Sequence, residues 1–209
     1  MAKTFYTILF LIFGSSFCAA QKVIQKEFSS NEIHAISIKD DAIYSINVEA
    51  TERKTVLLAV YISGEHSESV VIEERLSDGT LALNTGFMPF FTLENDKLAA
   101  HKVMAIEIKL TVPKTISVVL KSKLASLETK GAIKDLAVFL QDGNCTLIDY
   151  SGNAHLKTRN GNITVHAQKT VSGSAISENG TVENLLLKNG EYIIEAESIN
   201  GNIWLLQTK

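Results

Sequence analysis

Apolar and polar residues alternate along most of this chain, and that alternation predicts strands. Ile36-x-Ile38, Ile46-x-Val48 and Leu81-x-Leu83 are short period-two runs. Ile106, Ile108, Leu110 and Val112 form a longer run, with Glu107, Lys109 and Thr111 on the opposite face. Strand side chains point alternately to the two faces, so period two places one face in a core. No helical stripe competes with this pattern. Val56 to Ile62 is apolar on both faces, as in a strand covered on two sides or a seam between two sub-structures. Asp40-Asp41, Gly64, Asp78-Gly79 and Asn84-Thr-Gly86 supply the turns.

The rhythm breaks between Asn84 and Lys102. Phe87, Met88, Phe90 and Phe91 form an apolar cluster in a predicted loop. Such a cluster is either a plug over the strand stack or an exposed docking patch. Asn95 to His101 predicts one or two helical turns, with Asn95 or Asp96 as the N-cap.

Beyond Pro113 no proline occurs and glycine recurs regularly. Four Gly-Asn pairs each precede an apolar-x-apolar triplet: Cys145-x-Leu147, Ala154-x-Leu156, Ile163-x-Val165 and Ile203-x-Leu205. Weaker copies follow Gly131, Gly180 and Gly190. Gly131, Gly152 and Gly173 form one series, and Gly143, Gly161, Gly180 and Gly201 a second, with a shared period of about 20 residues. Two interleaved series imply a coil with two corners per turn, and glycine and asparagine both tolerate the positive φ of a corner. The expected fold is therefore all-β, a parallel β-solenoid with short strands, Gly-Asn corners and little helix. Cys145, Ala154, Ile163 and Ile203 would point inward, and Thr146, His155, Thr164 and Trp204 outward.

Residues 1–20 read as a signal peptide: Lys3, an apolar run from Phe5 to Phe13, then Cys18-Ala19-Ala20. The run is too short to span a bilayer. Phe17 stands where an acylation site wants a small residue, which argues against a lipid anchor at Cys18. Residues 21–112 are then an N-terminal β region, the first coils of the solenoid, with a separate antiparallel sandwich as the alternative. Residues 113–209 are the glycine-cornered repeats. Cys145 is the single cysteine after the signal segment, so no internal disulfide is expected. The chain has a net charge of −3 with dispersed charges, which argues against nucleic acid and against an anionic membrane surface.

The run Leu110-Thr-Val-Pro-Lys114, then Ile116-x-Val118-x-Leu120, then the Gly-Asn units, resembles the bacterial "putative adhesin" family of DUF4097-type and head-GIN-type β-solenoid domains. The Asn95–Lys102 block resembles Bacteroidota versions of such exported proteins. The resemblance implies a β-solenoid of the cell envelope, periplasmic or at the surface. It carries over no catalytic residues.

No motif of a nucleotide-binding loop, zincin, redox pair or nucleophile elbow is present. The chain lacks a Gly-Gly pair, which argues against calcium-filled turns. Of the histidines His34, His66, His101, His155 and His166, the last two fall on different corner series, which argues against a metal pair. Asp142, Asp149, Lys157 and Arg159 are the candidates for a polysaccharide-acting site; charged residues keeping a strand face soluble is the plainer reading. Trp204 either packs on the terminal coil or anchors a partner. The expectation is a non-enzymatic binding or scaffold module without cofactor, for an envelope glycan or protein. The candidate surface is Phe87, Met88, Phe90, Phe91 and Trp204. A final coil ending at Ile203–Leu206 would offer an open edge for self-association.

Overall fold

The computed structural model describes residues 21–91 and 104–208. The predicted signal segment with Cys18, the predicted helical turns at Asn95–His101 and Lys209 lie outside the described residues.

Among the described residues fifteen strands follow one another: β1 (Lys22–Ser29), β2 (Ala35–Lys39), β3 (Ile43–Thr51), β4 (Thr55–Gly64) and, after a 3₁₀ turn at Ser67–Ser69, β5 (Val70–Ser77). Next come β6 (Thr80–Phe87), β7 (Met104–Pro113), β8 (Ser117–Ser122), β9 (Ser126–Leu140) and β10 (Cys145–Thr158). The chain closes with β11 (Ile163–Ala167), β12 (Val171–Ser177), β13 (Val182–Asn184), β14 (Tyr192–Ser198) and β15 (Ile203–Gln207). The all-β expectation holds.

All fifteen strands join one sheet, curled so that two rows face each other across a core. The first row runs β1-β4-β7-β3-β9-β10-β11-β15-β13. The second runs β5-β6-β2-β8-β9-β10-β14-β12. The long strands β9 and β10 belong to both rows, each giving its first half to one and its second half to the other. The sheet is mixed, which corrects the expectation of parallel pairing throughout. The pairs β1–β4, β4–β7 and β5–β6 are antiparallel; of these, β5–β6 is a hairpin closed by the Asp78-Gly79 turn. Pairs among the later strands are parallel. Strands from both halves of the chain pair, β2 with β8 and β3 with β9. The doubly apolar Val56–Ile62 lies in β4, between β1 and β7.

One continuous core reaches from Ile33 to Leu205. After each Gly-Asn pair the inward residues are buried as expected: Cys145 and Leu147, Ala154 and Leu156, Ile163 and Val165, Ile203 and Leu205. Each fully buried Leu or Ile of this kind contributes roughly 1.5–3 kcal/mol.

The corners differ from expectation in their physics. Gly131 (φ 90°) and Gly152 (φ 139°) do take positive φ, at the bends of β9 and β10. Gly143, Gly161, Gly201 and Gly180 do not; they stack at the other corner, where a Cβ would overlap a neighbouring carbonyl oxygen. Close backbone approach, not dihedral freedom, selects glycine there. Gly173 is no corner at all. It lies inside β12 in register with Ile194, and Leu186 and Leu205 fill the space beside it.

Side chains complete the corner. The Asn144 Oδ1 accepts from the Asn162 N–H (2.9 Å), Asn162 Oδ1 from the Asn202 N–H (2.8 Å), and Asn202 Oδ1 from the Thr181 N–H (2.9 Å). A parallel ladder joins Asp142, Asn160, Asn200 and Asn179.

The spatial order of the last coils is not their chain order. Register steps of 18 residues link β9 to β10 and β10 to β11, as in Cys145↔Leu127 and Cys145↔Ile163. Then Ile163 pairs Ile203, and Ile203 pairs Val182. The coil β14–β15 is thus inserted between β10–β11 and β12–β13. Ile203–Leu206 is therefore not an open edge, as expected from chain order. The edge belongs to β12 and β13. Leu186 packs against the core there, and the Asn184 side chain donates to the Gly173 carbonyl (2.7 Å).

Candidate functional site

The second row presents outward side chains in straight columns, because parallel strands in register repeat each position about 4.8 Å further along. Lys121, Phe139, Lys157 and Glu197 share one column through β8, β9, β10 and β14. Two positions on, Lys123, Gln141, Arg159 and Ile199 leave the same strands. Backbone bonds hold this second set in line: the Arg159 N–H donates to Gln141 O (3.2 Å) and the Asn200 N–H to Arg159 O (2.8 Å). Between the columns, Ser122, Leu140, Thr158 and Ser198 point inward and are buried.

Lys121, Phe139 and Lys157 of the first column and the whole of the second line a groove of about 500 Å³, with Asp41 beside Lys123. Lys123 pairs with Asp41 (2.5 Å) and Lys157 with Glu197 (2.8 Å). The hydrogen bond from Lys123 holds the Asp41 carboxyl below its ordinary range, and Asp41 raises Lys123 in turn. Lys157 lowers Glu197 in the same way. These pairs stand in solvent, so they position side chains more than they stabilise the fold. Among the described residues Lys121 and Arg159 have no ion-pair partner. The next column holds His155, which faces Glu195 (3.4 Å) and leans on the Phe139 ring with centroids 5.6 Å apart.

The candidate residues from sequence are dispersed by the fold. Lys157 and Arg159 meet in the groove. Asp142 is engaged in the asparagine ladder, and Asp149 lies at the other bend of β10, in αL conformation (φ 56°), beside Ile148, His166 and Leu206. The four do not form one acid–base cluster. His155 and His166 sit in different rows. Among the described residues no three His, Cys, Asp or Glu side chains converge to hold a metal ion. Cys145 is fully buried, and burial pushes its thiol up to about 12. Tyr150 is buried too, its hydroxyl donating to Asn153 O (2.8 Å), and burial raises it further still.

In the apolar cluster, Phe87 and Phe91 stack (5.2 Å) and His66 tilts against Phe91 (5.1 Å). Phe90 is fully exposed, and Met88 is partly so. Trp204 projects outward from β15, half-buried, between Thr164 and Glu183 on the neighbouring strands. Sequence reasoning missed Lys121, Lys123, Phe139 and Gln141. The signal was present: each lies a multiple of 18 residues from Lys157 or Arg159.

No helix among the described residues is long and apolar enough to cross a membrane. No protein-family model matches the chain, and no curated protein sequence matches it. Among solved structures the chain is similar to a "putative cell adhesion protein" from Clostridium sporogenes, at 18% identity and a TM-score of 0.62, over 90% of this chain and 100% of that one. A "putative adhesin" from Bacteroides fragilis matches at 15% identity and a TM-score of 0.40, over 90% of this chain and 99% of that one. A "putative lipid binding protein" from Parabacteroides distasonis matches at 11% identity and a TM-score of 0.26, over 90% and 97%. At these identities the first likeness is one of fold.

Proposed function

We propose that this chain is an exported, non-enzymatic binding module of the adhesin-like kind, acting in the periplasm or at the cell surface on an envelope glycan or protein. Its later strands form a parallel solenoid, completed by antiparallel strands at the N-terminal end. The observation that carries this reading is the outward geometry of the second row. Side chains stand in two straight columns along a shallow groove, as suits an extended ligand rather than a substrate enclosed for reaction. The engagement of Asp142 in the asparagine ladder and the distant place of Asp149 support binding over polysaccharide cleavage. The test is a pull-down from bacterial envelope extract with the chain from Gln21 onward, read by mass spectrometry for proteins and glycans. Specific capture is expected. Capture no better than by an unrelated β-protein, or shortening of a captured glycan, would overturn the reading.

A second reading, self-association end to end, has one observation in its favour. Ile176, Val182 and Leu185 are exposed beside the outer edges of β12 and β13, which among the described residues carry no further strand, only the bridge Ser172↔Leu187. A bare strand edge with apolar neighbours can accept another strand. Sedimentation across a concentration series should then show assembly that Val182→Lys abolishes and Trp204→Ala leaves intact. A monomer at every concentration would exclude it.

A further inference from the structure

We propose that the groove between β8 and β14 binds an acidic polysaccharide, with sugar carboxylates held by Lys121, Lys157 and Arg159 and a sugar ring laid on Phe139. The proposal rests on the binding-module reading and names the ligand class for its groove.

Charge is the first support. The chain is acidic overall, at −3, yet four cations line this groove, with Asp41 beside Lys123 and Glu197 beside Lys157 as the carboxylates that face them. Asp41 engages Lys123 and Glu197 engages Lys157. Among the described residues Lys121 and Arg159, on opposite sides of the Phe139 strand, have no ion-pair partner. A sugar carboxylate at Lys157 would share that cation with Glu197. Exposed cations on a concave surface attract an anion and hold it by charge-assisted hydrogen bonds.

Register is the second support. Lys121 and Lys157 flank Phe139 on adjacent strands, so they lie roughly 9.6 Å apart at ~4.8 Å per strand. A linear polymer carrying one carboxylate per sugar presents anions at regular intervals along one line, which suits a column of regular cations. A single small anion would use one cation and gain nothing from the column.

The aromatic ring is the third support. Phe139 is partly exposed (36%) in the middle of the cationic column, and the His155 ring leans on its edge. An apolar ring at that place adds nothing to a purely ionic site. It offers a flat surface to the C–H face of a pyranose, as aromatic side chains do in ligand grooves.

The arrangement is held from beneath. Thr158, between Lys157 and Arg159, donates to Gly161 O (2.6 Å), and its oxygen accepts from the Ser198 hydroxyl (3.0 Å). The backbone under the groove is therefore fixed before any ligand arrives, which limits the ordering cost of binding.

The experiment titrates the chain from Gln21 onward with short oligogalacturonate, with a neutral dextran oligomer and a DNA oligonucleotide as comparisons. Binding of oligogalacturonate is expected, weakened by salt. The pair Lys157→Ala/Arg159→Ala should weaken it roughly tenfold or more. Phe139→Ala should weaken it severalfold, and Phe139→Tyr should restore it. Lys109→Ala, on the other row, should leave it unchanged, and circular dichroism establishes that each variant is folded. Absence of oligogalacturonate binding, or binding indifferent to the groove variants, would overturn the proposal. Equal retention of DNA with no effect of Phe139→Ala would reduce the site to general charge attraction and overturn it too. Capture of neutral glycan or protein without oligogalacturonate would sink this proposal alone and keep the binding-module reading.

Discussion

Gly161 sits directly over the carbonyl of Gly143, so close that a Cβ on Gly161 would overlap the Gly143 oxygen. The same contact joins Gly201 to Gly161 and Gly143 to Ala125. The obstacle is backbone, so no side-chain rotation relieves it. Gly161→Ala should therefore destabilise the fold by about 3 kcal/mol or more. Gly173→Ala meets flexible tips of Leu186 and Leu205 instead and should cost less, about 1 kcal/mol. Urea denaturation of both variants checks the order; equal costs would refute the corner assignment.

These glycines show what the sequence could and could not reveal. Their recurrence located one corner correctly, because close approach of stacked backbones demands glycine wherever it occurs. The stated cause, positive φ, is right at Gly131 and Gly152 and wrong at Gly161. A glycine in a sequence carries no sign of which demand it meets. Gly173 fell in series by number alone.

Asn162 bonds both its neighbours in the ladder: its N–H donates to Asn144 Oδ1, and its side chain supports the Asn202 N–H. Its Oδ1 accepts from the Asn202 N–H, which is part-buried. Asn162→Ala should cost about 1–2 kcal/mol by leaving that donor unpaired. Asn162→Asp keeps the acceptor and should recover most of the loss. Melting curves of the two variants decide this, and identical losses would show that the ladder is not what matters.

β15 is flanked by β11 and β13, whereas among the described residues β13 pairs with β15 alone. Backbone amides of Ile203–Leu205 should then exchange more slowly than those of Val182–Asn184, by at least about tenfold. Hydrogen–deuterium exchange followed by mass spectrometry reads both segments. Faster exchange in Ile203–Leu205 would restore stacking in chain order.

Such an inversion leaves little trace in the sequence. Ser177-x-Asn179-Gly180 and Ser198-x-Asn200-Gly201 carry the same corner chemistry, and both serine hydroxyls accept from the following glycine N–H. Both coils offer the serine acceptor, but Gly201 is followed by Asn202, whose Oδ1 accepts from the Thr181 N–H, and Gly180 by Thr181, which has no amide oxygen to offer. Leu186, which packs against the core beside Gly173, separates them as well. The groove was half legible for a related reason. Lys157 and Arg159 stood out as charges, but Phe139 reads as an ordinary apolar residue until its register with Lys121 is known.

Cys145 lies at the centre of the parallel stack with no exposed surface. Its thiol is pushed up to about 12 by burial alone, so the reactive thiolate is scarce and inaccessible in the native protein. At pH 8 a thiol reagent should label the folded chain far more slowly than the urea-unfolded chain, by about 100-fold or more. The pH dependence follows from the same shift. The unfolded thiol ionises at its ordinary value and the folded thiol only near 12, so the unfolded state gains stability between them. The contribution of this site to native stability is therefore complete below the ordinary thiol range and falls as pH rises through it. Cys145→Ala should remove that alkaline component, at the cost of a small cavity. Urea titrations at neutral and alkaline pH, with and without the substitution, check the sign. A steeper alkaline loss in Cys145→Ala than in the parent would contradict the buried, neutral thiol.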